Sequence, residues 1–145
     1  MAMLLDDALP LLLAAGLGAA IGAEREWRRH PGGLRSCALV AAAACIFARI
    51  AIVYGGTNPG AGLGAIASGV GFLGAGVILH SRTHVRGLST AATFWAVAAM
   101  GTAAGVRDYA AAVGLTLVVL FAHIGLRPLS RWIDRAAPPE EGGPG

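Results

Sequence analysis

Apolar residues occur in long runs that charged residues rarely interrupt. No Asp, Glu, Lys or Arg is found in residues 50–81, and residues 87–106 form a second charge-free run. Uncharged apolar runs of about 18 residues or more are typical of transmembrane helices. The pattern therefore predicts an all-α, polytopic membrane protein, built as a bundle of about five transmembrane helices. The predicted spans are residues 8–27, 34–54, 61–79, 88–106 and 109–126.

The five spans are expected to form one transmembrane domain over residues 1–135. Its last part, residues 129–135, is short and mixes apolar with charged residues, so we expect it to lie at the membrane interface. Residues 136–145 read AAPPEEGGPG, a composition rich in Pro, Gly and Glu. Such a segment buries too little apolar surface to fold, so the sequence predicts a disordered tail.

Charge and composition support a membrane location. Only 13% of the 145 residues are charged, against about 25% in typical soluble domains. Nine of the eleven arginines lie in or next to three segments: the connection between the first two spans, the connection between the third and fourth, and the segment after the fifth. By the positive-inside rule that side is cytoplasmic, which places the N-terminus outside and the C-terminus in the cytoplasm. Because topology accounts for these arginines, no nucleic-acid partner is expected.

The third span is unusually rich in glycine, with four in the stretch GVGFLGAGVIL of residues 69–79. Glycine costs a helix about 1 kcal/mol relative to alanine in water, but in lipid small residues let helices pack closely. At 100° per residue these glycines fall on two opposite faces, which predicts that the third helix is central. An alternative is that bare backbone lines an ion path. The predicted helix-packing glycines are Gly18, Gly22, Gly62, Gly64, Gly69, Gly71, Gly74 and Gly76.

Polar residues at the cytoplasmic boundary are the candidates for function. Carboxylates there are costly unless they are paired or functional. Glu24 and Arg28 stand four residues apart, a favourable helical pair, so one interpretation is a salt-bridge cluster that only anchors the helix. Carboxylate oxygens also suit Mg²⁺, which makes Glu24 and Glu26 the candidate metal ligands. The predicted cytoplasmic polar cluster is Glu24, Arg25, Glu26, Arg35, Arg86, Ser89 and Thr90, with Ser36 and Thr93 near the same boundary.

Other polar residues suggest no catalytic chemistry. His123, near the end of the fifth span, is expected to make a polar contact between helices. No nucleophile elbow, P-loop or zinc motif occurs in the sequence. The chain is therefore predicted not to be an enzyme, and no cofactor is expected beyond Mg²⁺ as a possible ligand or substrate.

Four motifs resemble the membrane domain of the MgtC/SapB family. They are IGAEREW at residues 21–27, GLRS at 33–36, GVGFLGAGVI at 69–78 and GLSTAATFW at 87–95. The resemblance, which covers residues 8–126, implies a bacterial inner-membrane protein linked to growth in low magnesium and to survival of pathogens inside host cells. It also implies regulation of a partner membrane protein, such as an ion pump or ATP synthase, rather than transport.

The sequence departs from the family pattern ahead of the glycine-rich block. Asn58, Ala61 and Ala65 stand where the family pattern has Asp, Arg and Gln. Longer members of the family carry a soluble C-terminal domain, where this sequence has only the tail. Two hypotheses remain open beside a purely structural or lipid-binding bundle. The chain regulates a partner through packed helices and its cytoplasmic face, or it is a magnesium or other cation transporter or channel acting as a homo-oligomer.

Overall fold

The computed structural model describes residues 2–55, 58–80 and 85–136. Within them, two short strands form an antiparallel pair, β1 (Leu79–His80) with β2 (Val85–Arg86). All other regular structure in this part of the chain is helical, which confirms the all-α prediction. The helices are α1 (Ala2–Trp27), α2 (Leu34–Tyr54), α3 (Pro59–Val77), α4 (Leu88–Gly105), α5 (Tyr109–Ile124) and α6 (Arg127–Ala136).

Among the described residues, four helical segments are long and apolar enough to cross a membrane: Ala8–Trp27, Leu34–Tyr54, Pro59–Val77 and Tyr109–Leu129. This confirms a polytopic membrane protein. The fourth predicted span is α4, which is not in this group because one serine, three threonines and two glycines lower its hydropathy. Its 18 residues still extend about 27 Å, close to the thickness of the bilayer core.

The centre of the bundle is α4 and not α3, so the prediction of a central third helix is wrong. α4 packs against α1, α2, α3 and α5, and nine of its residues are buried, whereas only Val70 and Gly74 are buried in α3. Enclosure by neighbours explains why α4 needs less apolarity than a helix that faces lipid. Glycine content indicates how closely a helix can be approached, but it does not say which helix has neighbours on every side.

Glycines allow the backbones of α2 and α4 to touch. A methyl group built on Gly105 would lie 2.5 Å from the carbonyl oxygen of Cys45, and one built on Gly101 would overlap the carbonyl of Ala41. Between these glycines and the start of α4, Val97 and Met100 are fully buried and fill the core. Small and large side chains therefore alternate along the central helix.

The eight glycines predicted to pack helices fall into two groups. A methyl group on Gly18, Gly22 or Gly62 would come within 2.6 Å of a neighbouring helix or its first residue, and one on Gly74 would sit at an ordinary 3.5 Å from Ala91. At the remaining four, a methyl group would meet no atom within 4 Å in the described part of the chain. These open glycines are Gly64, Gly69, Gly71 and Gly76.

The last described residues form one more helix. Residues 129–135, predicted to be interfacial, belong to α6, and so does Ala136, the first residue of the predicted tail. The rest of that tail, residues 137–145, lies outside the described residues. The extent of the transmembrane domain and the disorder of the tail therefore stay predictions.

Candidate functional site

Arg25, in the last turns of α1, is a buried charged side chain that joins three parts of the bundle. Only 2% of it is exposed. Its Nε donates to the carbonyl oxygen of Gly32 at 3.0 Å, and Nη2 donates to that of Pro31 at 2.5 Å. On the other side, Nη2 donates to Thr90 Oγ1 at 2.7 Å and Nη1 to Thr93 Oγ1 at 2.9 Å. The guanidinium therefore ties the loop after α1 to the first turns of α4.

The chemistry of arginine explains why this position can be buried. A guanidinium carries five N–H donors in a fixed planar fork, so it can satisfy several acceptors at once. Here the acceptors are two backbone carbonyls and two hydroxyls. The loop is shaped to offer its carbonyls by two residues with left-handed backbone, Arg29 at φ 57° and Gly32 at φ 73°.

A second chain of polar contacts runs from α1 through α5 to α4. His123 on α5 places Nδ1 3.2 Å from Glu24 Oε2 and Nε2 3.1 Å from Thr93 Oγ1. A carboxylate that is paired with an arginine only accepts hydrogen bonds, so the Nδ1–H group of His123 donates a hydrogen bond to Glu24. The ring orientation is therefore fixed from both sides, and the ends of α1 and α5 are joined to the start of α4.

The Thr93 hydroxyl contacts groups from three helices. It lies 2.8 Å from the carbonyl oxygen of Ser89, to which it donates, and it accepts from Arg25. Its oxygen also lies 3.1 Å from Nε2 of His123. Residues of α1, α4 and α5 therefore meet at this one hydroxyl.

The two predicted metal ligands have separate partners. Glu24 forms an ion pair with Arg28, as the spacing predicts, and its Oε1 lies against Nε of Arg28 without the angles of a hydrogen bond. Glu26 instead accepts a hydrogen bond from the backbone N–H of Leu34 at 2.9 Å, at the start of α2. The described residues contain no group of three or more His, Cys, Asp or Glu side chains that could hold a metal ion. Magnesium binding by Glu24 and Glu26 stays a prediction.

A polar cavity of about 220 Å³ opens beside Glu24 and His123. Its lining carries three arginines against one carboxylate, so it favours polar or anionic groups over a bare cation. The residues that line it are Glu24, Arg25, Arg28, His30, Ser89, Ala122, His123, Leu126 and Arg127.

The structure brings together only part of the predicted polar cluster. Thr90 bonds to Arg25, and Ser89 lines the cavity, whereas Arg35 and Arg86 are exposed on the surface. The sequence did not assign His30 or Arg127 to this site, since they come from a loop and from the start of α6. The only available signal was that both are basic residues at the same predicted boundary.

A second feature lies within the membrane-spanning part, between α2 and α3. It is a groove of about 660 Å³ whose lining is apolar throughout. Leu39 and Phe47 of α2 face Gly62, Ala65 and Gly69 of α3 across it. Gly69 is one of the open glycines, so part of the α3 side of the groove, beside Ile66 and Leu73, is bare backbone.

Comparison with known proteins identifies the family. A sequence model of the MgtC family matches residues 11–132. The chain is 43% identical over 134 residues to Protein MgtC of Salmonella typhimurium strain LT2, covering 92% of this chain and 58% of that protein. It is 42% identical over 130 residues to an uncharacterized protein of Synechocystis, covering 89% and 56%. With Protein MgtC of Brucella abortus the identity is 41% over 119 residues, covering 81% and 50%.

The match concerns part of each relative. The chain spans between about half and three fifths of the length of these curated relatives. No solved structure matches the chain. The family match nevertheless covers α2 to α5 completely, together with most of α1 and half of α6. The chain belongs to the MgtC family.

Proposed function

We propose that this protein is an MgtC-type regulator in the bacterial inner membrane, which supports growth in low magnesium by binding another membrane protein. The observation that carries the proposal is that Gly69 and Gly76, which share one face of α3, meet no described neighbour, and that Gly69 lines the apolar groove. This face is a bare helix surface within the membrane-spanning part of the chain, and a partner helix is the structure that it fits best.

The physical argument rests on what glycine does in lipid. Helices gain little there from hiding apolar surface, so they associate where small residues let backbones approach. The glycines of α4 already serve this purpose against α2. Gly64, Gly69, Gly71 and Gly76 meet no described neighbour, yet each lowers the intrinsic stability of α3. A partner helix laid along the face that carries Gly69 and Gly76 gives these two glycines the same role that Gly101 and Gly105 have on α4.

The interior of the bundle supports regulation over transport. The buried polar side chains among the described residues are Arg25, Thr90, Thr93 and Thr116. The first three satisfy one another at one end of the bundle, and Thr116 donates to the carbonyl of Ala112 in its own helix. A single copy therefore offers few ligands to an ion in the middle of the membrane.

A growth assay tests the proposal with a matched pair of variants. Gly69→Leu fills the groove, whereas Gly114→Leu makes the same change at an open glycine on α5. In a strain that lacks its own MgtC-type protein, the parent and Gly114→Leu should restore growth in low-magnesium medium. Gly69→Leu should not, although it reaches the membrane at the same level. Equal growth with both variants would contradict the proposal.

Photo-crosslinking identifies what covers the groove. A photoreactive residue at Gly69 should give one recurring adduct with a second membrane protein, and Leu117, exposed on α5, is the control position. Adducts that correspond only to two copies of this chain would instead favour a homo-oligomer. Equal labelling at the two positions would mean that the groove faces lipid alone.

The alternative function, a magnesium or other cation transporter, has its own test. Magnesium flux into proteoliposomes is measured for the parent and for the double variant Glu24→Gln/Glu26→Gln. Flux above that of empty vesicles, lost in the double variant, would replace regulation with transport. The regulatory proposal expects no flux from folded protein.

The orientation forms part of the proposal. The ends of α1 and α5 meet the start of α4 around Arg25, and the arginine-rich loop after α1 lies at the same end. The positive-inside rule makes that end cytoplasmic. A cysteine introduced at exposed Arg35 should then be protected from a membrane-impermeant thiol reagent in intact cells, and labelling there would reverse the orientation.

A further inference from the structure

Helix α6 has two distinct faces. Leu129, Trp132, Ile133 and Ala136 follow the spacing of one helical stripe, and the first three are 52%, 67% and 52% exposed. The arginines of α6 stand four residues apart, at positions 127, 131 and 135, on the opposite side of the helix by register. An apolar stripe of this size, turned away from the bundle, is unfavourable in water.

The position of α6 in the chain restricts where this stripe can lie. Only Gly125 and Leu126 separate it from α5, which belongs to a candidate membrane span. Its ten residues extend about 15 Å, half of what a bilayer core requires. The candidate span ends at Leu129, in the first turn of α6, so the helix lies at the membrane boundary and is too short to cross the bilayer again.

We propose that α6 docks on an anionic phospholipid surface, with its apolar stripe in the headgroup boundary and Arg131 and Arg135 at the lipid phosphates. The choice of an anionic lipid surface rests on charge complementarity between α6 and the lipid. α6 holds three arginines and one aspartate, and basic residues are attracted to negatively charged leaflets. Short helices with an apolar face, a basic face and a tryptophan are typical of the membrane interface.

If α6 docks in this way, its binding depends on the charge of the lipid, whereas burial of the apolar stripe alone would not. Each arginine near an anionic surface strengthens binding by about fivefold at ordinary ionic strength. Removing two arginines should therefore raise the undocked fraction of α6 by about 25-fold where that fraction is small. High salt should have a similar effect, since it screens exposed charges beyond a few ångströms.

Tryptophan fluorescence in proteoliposomes tests the proposal on the complete chain. The signal of Trp132 is taken as the difference between the parent and Trp132→Phe, a change at an exposed position that leaves the bundle intact. Brominated phosphatidylcholine serves as the quencher, in bilayers with and without phosphatidylglycerol. We expect strong quenching with phosphatidylglycerol, weaker quenching without it, and loss of the difference at high salt.

Variants sharpen the result. Arg131→Gln/Arg135→Gln should abolish the dependence of Trp132 quenching on phosphatidylglycerol. The control is the signal of Trp95 on α4, taken as the difference between the parent and Trp95→Phe. It should be quenched equally in both bilayers. Equal quenching of Trp132 in both bilayers would overturn charge recognition. A water-exposed Trp132 in both would overturn docking on lipid altogether and favour a protein partner for α6.

Discussion

Replacing Arg25 should weaken the bundle strongly, because its side chain makes four hydrogen bonds from a buried position. Arg25→Met keeps much of the apolar stem and removes every donor. The carbonyls of Pro31 and Gly32 and the hydroxyls of Thr90 and Thr93 then lose their partner. The loop after α1 and the start of α4 would be held together by packing alone.

The size of the effect follows from two opposing terms. A hydrogen bond from a charged donor contributes about 1.5–3 kcal/mol, so the two bonds to buried hydroxyls alone give at least about 3 kcal/mol. Part of this is offset because methionine carries no buried charge that must be desolvated. The four bonds share one side chain and are not additive. We expect a net loss of about 3 kcal/mol in the free energy of unfolding.

The assay is reversible unfolding in mixed micelles, followed by circular dichroism, for the parent, Arg25→Met and Arg25→Lys. Lysine keeps the charge but donates from a single atom, so it cannot reach the loop and α4 together and should give an intermediate loss. A double-mutant cycle with Thr93→Val should return a coupling of about 1.5–3 kcal/mol. A loss below about 1 kcal/mol for Arg25→Met, or no coupling with Thr93, would refute the reasoning.

Three further predictions test the packing and the helix ends. Gly101→Val should abolish folding, seen as loss of the monodisperse peak in detergent, because α2 backbone fills the space; Gly114→Val, at an open glycine, should keep that peak. Asp108→Ala should cost about 1 kcal/mol in unfolding free energy, since the side chain caps α5, and Asp108→Asn should retain most of it. Cys37 and Cys45 are buried free thiols. Maleimide should label them only after unfolding in SDS, and rapid labelling of the folded protein would contradict the described packing.

Local patterns in the sequence predicted local structure well. Long apolar runs with few charges located the membrane-spanning helices within a few residues, because lipid tolerates few charges in a span. The pair Glu24–Arg28 also followed from spacing alone, since residues four apart share a helix face. In both cases the physical cause lies within one short segment of chain.

Contacts between helices that are distant in sequence could not be predicted from such local patterns. His123 contacts Glu24 across 99 positions of sequence, and no local pattern encodes that separation. The place of α4 at the centre was missed for a related reason. The glycines of α3 led to the prediction that α3 is central, whereas two residues that bind α4 to its neighbours are Thr90 and Thr93, the partners of Arg25.

The bonds of Arg25 have a consequence for biosynthesis. Its partners on α4 lie 65 and 68 residues further along the chain, so they do not exist when α1 and α2 first enter the membrane. These two helices can pair early through Gly18 and Gly22, while the guanidinium stays hydrated at the membrane surface. The bonds of Arg25 to Thr90 and Thr93 can form only after α4 is synthesised, and those of His123 only after α5. A chain truncated after Val77 should therefore keep its first hairpin but leave Cys37, which lies beneath the closed end, open to maleimide in the membrane.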